Sequence, residues 1–138
     1  MNRKLLAALH KVIALSDRDE EIFGQGGCWE LAEVLSQKGL HFAVIKEETE
    51  YLGEKDVIYP HAFAVDKALG NKAVDVYGRV SLDNMLAKWQ KLLSGKVSIE
   101  IGYPARYAAE KIQHIPSLLK EARKLVEDNV SFFFGGKK

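Results

Sequence analysis

Cys28 is the single cysteine of this 138-residue chain, and the residues around it favour a role as a nucleophile. It follows the glycine-rich run GQGG at residues 24–27 and opens residues 28–35, whose apolar spacing predicts a helix. The partial positive charge of a helix N-terminus favours a thiolate over a thiol. Since free cysteines are often small buried residues, a purely structural role is the alternative.

The residues flanking Cys28 are candidates for contact with a substrate. N–H groups at a helix start can bind the oxyanion that forms when a thiolate attacks a carbonyl, and the side-chain amide of Gln25 is a second candidate donor. Gly27 lets a substrate approach the backbone closely. Trp29 is either a core aromatic or a wall of the active cleft.

His61 is the candidate general base. It lies in a predicted strand over residues 57–65, and Asp75 lies in the next predicted strand, residues 72–77. A hairpin loop of residues 66–70 sets His61 directly opposite Asp75, and any loop with an odd number of residues keeps both side chains on one face. A carboxylate there holds the imidazole in one tautomer and stabilises its charged form.

Three further residues surround this predicted pair. Asp66 is an alternative third member, but strand alternation puts it on the face opposite His61, so it ranks below Asp75. Tyr59 and Tyr77 flank the predicted site and are candidate substrate contacts. The alternative is a surface histidine and a hairpin aspartate unrelated to Cys28.

The remaining pattern predicts the elements that position these residues. Helices are predicted over residues 3–15, 28–35, 82–93 and 105–126 (the last interrupted near Pro116), and strands over 41–45, 57–65, 72–77 and 97–101, with a charged loop over 46–55. Gly39 is placed to end the Cys28 helix. This order predicts a single α+β domain over residues 1–138, in which the nucleophile helix packs on a mostly antiparallel sheet.

Two segments together resemble a known group of enzymes. GQGGCWELAEVL resembles the nucleophile helix of papain-like cysteine peptidases, and HAFAVDKALGNKAVDVYG resembles the His-strand and Asp-strand of the wider papain/transglutaminase-like superfamily. The resemblance implies a papain-like core and a Cys28–His61–Asp75 triad. His61 follows Cys28 by 33 positions, against ~130–150 in papain itself, so the resemblance is to a compact member.

Composition sets limits on the other functions. The net charge of +1 argues against a nucleic-acid binder, and no segment approaches the ~18 apolar residues of a membrane span. A lone cysteine forms no internal disulfide, which favours the cytoplasm of the producing cell or of a cell the protein enters. His10, His41 and His114 have no partners at metal-ligand spacing, so neither a metal nor another cofactor is expected.

The sequence leaves the reaction and one alternative function open. The same thioester serves hydrolysis of an amide, peptide or isopeptide bond, transfer of the acyl group, or deamidation. The alternative is a non-catalytic binding module that docks a protein partner through residues 130–136, where three successive aromatics cannot all face one core. A final edge strand with two of these aromatics buried is the structural reading of that segment.

Overall fold

The computed structural model describes residues 17–23, 27–68, 70–102 and 115–134. Its elements in chain order are α1 (Asp17–Phe23), α2 (Cys28–Gln37), β1 (His41–Tyr51), β2 (Glu54–Asp66), β3 (Lys72–Asp75), β4 (Gly78–Ser81), α3 (Leu82–Leu92), β5 (Lys96–Ile101), α4 (Pro116–Asp128) and α5 (Val130–Phe134). The predicted helix over residues 3–15 and the first part of the one over 105–126 lie outside the described residues.

The strands form one antiparallel sheet in the order β4-β3-β2-β1-β5, which confirms the α+β class and the antiparallel sheet. Because side chains alternate along a strand, the sheet has two apolar faces. One face, which includes Ala64 and Val74, packs against α2, α4 and α5. The other, which includes Phe63 and Ala73, packs against α3. The sheet therefore lies between two helical layers.

Helix α2 begins at Cys28, as predicted, and packs on β1 and β2. Its first intrahelical bond runs from the Leu31 N–H to the Gly27 carbonyl at 3.1 Å. Gly39 follows the helix with φ +106°, a backbone conformation that residues with a Cβ rarely adopt. The predicted end of the helix is thereby confirmed. The nucleophile candidate stands at the first position of a helix that lies against the central strands.

The charged segment 46–55, predicted to be a loop, instead forms much of a long hairpin. β1 continues to Tyr51 and β2 begins at Glu54, joined by a two-residue turn in which Leu52 (φ 52°) and Gly53 (φ 82°) both have positive φ. Such turns match the twist of the strands but usually carry Asn-Gly or Asp-Gly. With leucine first, the turn lacks the usual sequence signal.

The β2–β3 pairing differs from the predicted register by two residues. Val65 pairs with Ala73 rather than with Asn71, so the loop between the strands is displaced along the chain. β3 ends at Asp75 instead of Tyr77, and a strand that was not predicted, Gly78–Ser81, pairs back onto it. The shift is by an even number, so His61 and Asp75 keep the same face, diagonal to one another rather than directly opposite.

The C-terminal aromatic segment forms a short helix and not an edge strand. Phe133 is fully buried, and the half-buried Phe132 and Phe134 pack against the same core cluster. Side chains about 100° apart on a helix can all reach a core that meets the end of the helix. The expectation that three successive aromatics cannot share a core was therefore wrong, and a protein partner at residues 130–136 stays a prediction.

Candidate active site

His61 and Asp75 form a buried pair. His61 Nε2 lies 2.9 Å from Asp75 Oδ2, and the two residues are 1% and 4% exposed. The pairing of β2 with β3 ends at Ala64 and Val74. Asp75 directly follows Val74 and His61 precedes Ala64, so the two side chains meet diagonally. In this environment of low dielectric, a hydrogen bond between an imidazole and a carboxylate is strong and holds Nε2 in place.

Cys28 approaches the same ring from the helix that covers the opposite face of the sheet. Nδ1, the ring nitrogen left after Nε2 has bonded to Asp75, is buried and makes no hydrogen bond of standard geometry within the described part of the chain. Cys28 is nevertheless, after Asp75, the second side chain that raises the pKa of His61. Catalytic contacts are often loose before substrate binds.

The electrostatics of His61 favour its protonated form. Burial alone lowers the pKa of His61. The hydrogen bond to Asp75, and after it the influence of Cys28, outweigh burial and raise the pKa from 6.5 to about 9. At neutral pH the ring therefore carries both protons. It donates one to the Asp75 carboxylate, and the other is available to the sulfur.

The backbone after β3 orients the Asp75 carboxylate. The Tyr77 N–H donates to Asp75 Oδ1 at 2.8 Å, which leaves Oδ2 directed at His61. The Tyr77 side chain is exposed, and the Lys88 ammonium lies 4.4 Å above its ring centroid. Tyr77 thus contributes to the site through its main chain, and its ring stands at the surface beside it.

Asp66, the weaker carboxylate candidate, is used elsewhere. Its Oδ2 accepts from Arg79 at 2.7 Å and its Oδ1 from the Ala68 N–H at 3.0 Å. Arg79 also donates to the Phe133 carbonyl at 2.8 Å. Asp66 therefore ties the end of β2 to β4 and to α5, in agreement with its predicted place on the face opposite His61.

Two half-buried aromatics stand beside the thiol. Trp29 and Tyr59 pack on a cluster that contains Cys28, Phe42 and Val44, and the Trp29 ring centroid lies 5.7 Å from that of Phe42. Because Cys28 is only 2% exposed, a substrate would have to pass these side chains. Both aromatics therefore pack on the cluster around Cys28, and their contact with a substrate stays a prediction.

Gly27 has a different role from the one expected. A Cβ at this position would lie 2.8 Å from the Ile22 carbonyl oxygen and 3.0 Å from Phe23 Cδ1. The Gly27 N–H donates to that same carbonyl at 2.8 Å, so it is not available to an oxyanion. Glycine is required here because α1 and α2 pack closely, not because a substrate approaches. Gln25, the other oxyanion candidate, lies outside the described residues.

Trp89 is a neighbour of the site that the sequence did not reveal. Its ring stacks on His61 with the centroids 5.0 Å apart and the planes inclined by 23°. The spacing of apolar residues in 82–93 predicted Trp89 on the buried side of a helix. That pattern identifies the side that is buried, but not the residue beneath it.

Comparisons of the chain with protein families, with curated proteins and with solved structures give no match. None of the helices in the described ranges is long and apolar enough to cross a membrane. Nor do those ranges bring together three histidine, cysteine, aspartate or glutamate side chains in the manner of a metal site. Conclusions about function therefore depend on the geometry of the site and on the sequence.

Proposed function

We propose that this chain is a compact papain-like thiol enzyme that cleaves an amide, peptide or isopeptide bond through a thioester on Cys28. The observation that carries the proposal is the convergence on His61 of a carboxylate 2.9 Å from Nε2 and of the Cys28 thiol. Three separate elements supply these residues. Strongly perturbed buried histidines of this kind are typical of functional sites.

The first half of the reaction acylates the enzyme. The Cys28 proton resides on His61 Nδ1, and the thiolate attacks the carbonyl carbon, so that an S–C bond forms while the π electrons move to the oxygen. His61 then gives this proton to the leaving nitrogen as the C–N bond breaks, and a neutral amine departs. The thioester remains on Cys28.

The second half releases the acyl group. His61 Nδ1 takes a proton from water as the water oxygen attacks the thioester carbon, and the S–C bond then breaks to give a carboxylic acid and the free thiolate. Asp75 keeps its charge throughout and stabilises the imidazolium. The N–H of Cys28 at the start of α2, together with the Gln25 amide, is proposed to bind the oxyanion in both halves.

The proposed substrate is a peptide, a protein or another amide, and the chemistry requires no cofactor. A catalytic thiolate is inactivated by oxidation, so we place the enzyme in a reducing compartment. This is the cytoplasm of the producing cell or of a cell that the protein enters. Acyl transfer to an amine and deamidation of a glutamine share the first half of the reaction and differ in the acceptor or the leaving group.

The first test measures the reactivity of the thiol. Iodoacetamide should modify folded wild-type protein at Cys28 faster at pH 6–7 than it modifies a model thiol of pKa ~8.5, and Cys28→Ala should not react. Alkylation is followed by intact mass. A rate no higher than that of the model thiol, or full protection in the folded state, would leave a buried structural cysteine and the binding module.

A second test examines the thioester. p-Nitrophenyl acetate should release p-nitrophenolate in a burst of one equivalent and leave an acetyl group on Cys28, visible by mass. Methylamine added to the reaction distinguishes acyl transfer from hydrolysis. N-methylacetamide as the main product indicates transfer, and acetate indicates hydrolysis. Cys28→Ala supplies the background rate of the ester.

A further inference from the structure

Trp89 is the largest side chain in contact with the His61 ring. Its indole centroid lies 5.0 Å from that of the imidazole at an interplanar angle of 23°, and Phe63 also runs nearly parallel to the ring, at 6.1 Å and 12°. Trp89 projects from α3, on the face of the sheet opposite the helix that carries Cys28. It therefore contacts the imidazole from the layer that does not contain the nucleophile.

We infer that Trp89 is a positioning residue for His61: its ring fixes the plane of the imidazole and stabilises the imidazolium. The inference rests on the proposed function for its catalytic consequence. The bond to Asp75 fixes one ring nitrogen, but the ring can still turn about that contact, because the side-chain torsion next to an aromatic ring is soft. Contact with the indole face restricts this freedom and holds the plane of the ring.

The same contact favours positive charge on the ring. The face of an indole is negative, and tryptophan is the strongest cation–π partner among the aromatics. His61 is 1% exposed and Trp89 is half-buried, so water screens the contact only in part. The geometry thus adds a third group that favours the protonated ring, beside the Asp75 carboxylate and the Cys28 thiol.

The other neighbours of His61 define the electrostatic setting of the test. β3 contributes Asp75 and α2 contributes Cys28, both of which favour the charged ring. β1 contributes Ile45, the partner of His61 in the sheet, and β2 contributes Phe63, neither of which is charged. On α3, Lys88 is adjacent to Trp89 in sequence, but its ammonium is held over Tyr77.

The experiment compares Trp89→Phe and Trp89→Leu with wild type. Nitrogen-15 chemical shifts of labelled histidine report the pKa of His61 directly, and iodoacetamide rates against pH report the reactivity of Cys28. We expect the His61 pKa to fall by roughly one unit in Trp89→Leu and by less in Trp89→Phe, which keeps an aromatic face. The indole N–H makes no hydrogen bond within the described residues, so neither variant removes one.

The matched control is Leu86→Ala, on the same helix and packed against the same core cluster. It should lower the melting temperature without moving the His61 pKa.

An unchanged or higher pKa in both tryptophan variants would overturn the inference. The histidine titration needs no turnover, so it tests the positioning role even if Cys28 proves unreactive, a result that would overturn the proposed function separately. If Trp89→Leu does not fold, Trp89→Phe still decides by the direction of its shift.

Discussion

The two nitrogens of His61 have different surroundings, and the proposed reaction gives each a separate task. Nε2 is bonded to Asp75 Oδ2, and Nδ1 is the one left for the thiol. The other carboxylate oxygen accepts the Tyr77 N–H, so Asp75 is itself held in place. In the proposed reaction, a carboxylate fixed in this way orients the ring without contacting substrate, so its expected contribution is smaller than that of the base.

Substitutions at His61 and Asp75 separate these tasks. His61→Ala should slow acylation by p-nitrophenyl acetate by about 10²–10⁴-fold, and Asp75→Asn should have a milder effect. The double variant should lose little more than His61→Ala, because residues that act as one unit fail together. The burst of p-nitrophenolate release provides the rates.

Asp66→Asn is the matched control for Asp75→Asn. It removes the negative charge from the 2.7 Å ion pair with Arg79 and should reduce stability while leaving the acylation rate unchanged. The opposite result, loss of rate at Asp66 with a wild-type rate at Asp75, would mean that Asp75 does not orient the base.

At the level of elements, the junction of α1 and α2 sets the position of the nucleophile. Gly27 is buried, and its N–H donates to the Ile22 carbonyl at the end of α1. A Cβ at Gly27 would overlap the same carbonyl oxygen. Cys28 follows immediately as the first residue of α2. Any displacement of this contact is therefore transmitted to the sulfur.

Gly27→Ala tests this coupling. The new methyl group would overlap a backbone oxygen, so the two helices must separate, and we expect a loss of stability of about 1–3 kcal/mol together with slower alkylation of Cys28. Gly95→Ala is the control. Gly95 immediately precedes β5, and its new Cβ would likewise overlap a backbone oxygen, that of Glu48, at 2.6 Å. It should reduce stability in urea unfolding without changing the alkylation rate. Equal alkylation rates in the two variants would show that the junction does not position the thiol.

The sequence predicted those elements whose signals are local. The glycine-rich run and the apolar spacing located the start of α2 at Cys28, and strand alternation put His61 and Asp75 on one face. Alternation determines which face a side chain lies on, but not which residues pair across two strands. The predicted β2–β3 pairing was therefore wrong by two residues, although the contact between His61 and Asp75 formed. Neither the turn at Leu52 nor the stack of Trp89 on His61 has a local signal, since one uses an unusual turn residue and the other depends on how a helix lies across the sheet.

On the scale of the whole molecule, the candidate site at the end of β3 draws on both helical layers. α2 brings Cys28 from one layer, α3 brings Trp89 from the other, and the sheet between them supplies His61 and Asp75. Burial on both sides excludes water from the pair and strengthens each interaction with the imidazolium. The charge on His61 is consequently coupled to the folding of both layers.

This coupling predicts how stability depends on pH. The pKa of His61 is about 9 in the folded protein and 6.5 ordinarily, so folding binds this proton more tightly. The resulting stabilisation is fully present below pH ~6.5 and is lost as the pH rises through ~9, a change of about 1–3 kcal/mol. Urea unfolding between pH 6 and 9.5 should therefore give a free energy of unfolding that declines more steeply in wild type than in His61→Gln. The other groups that titrate in this range are present in both proteins, so the difference between the two slopes reports His61. Identical slopes in wild type and His61→Gln would mean that folding does not stabilise the imidazolium.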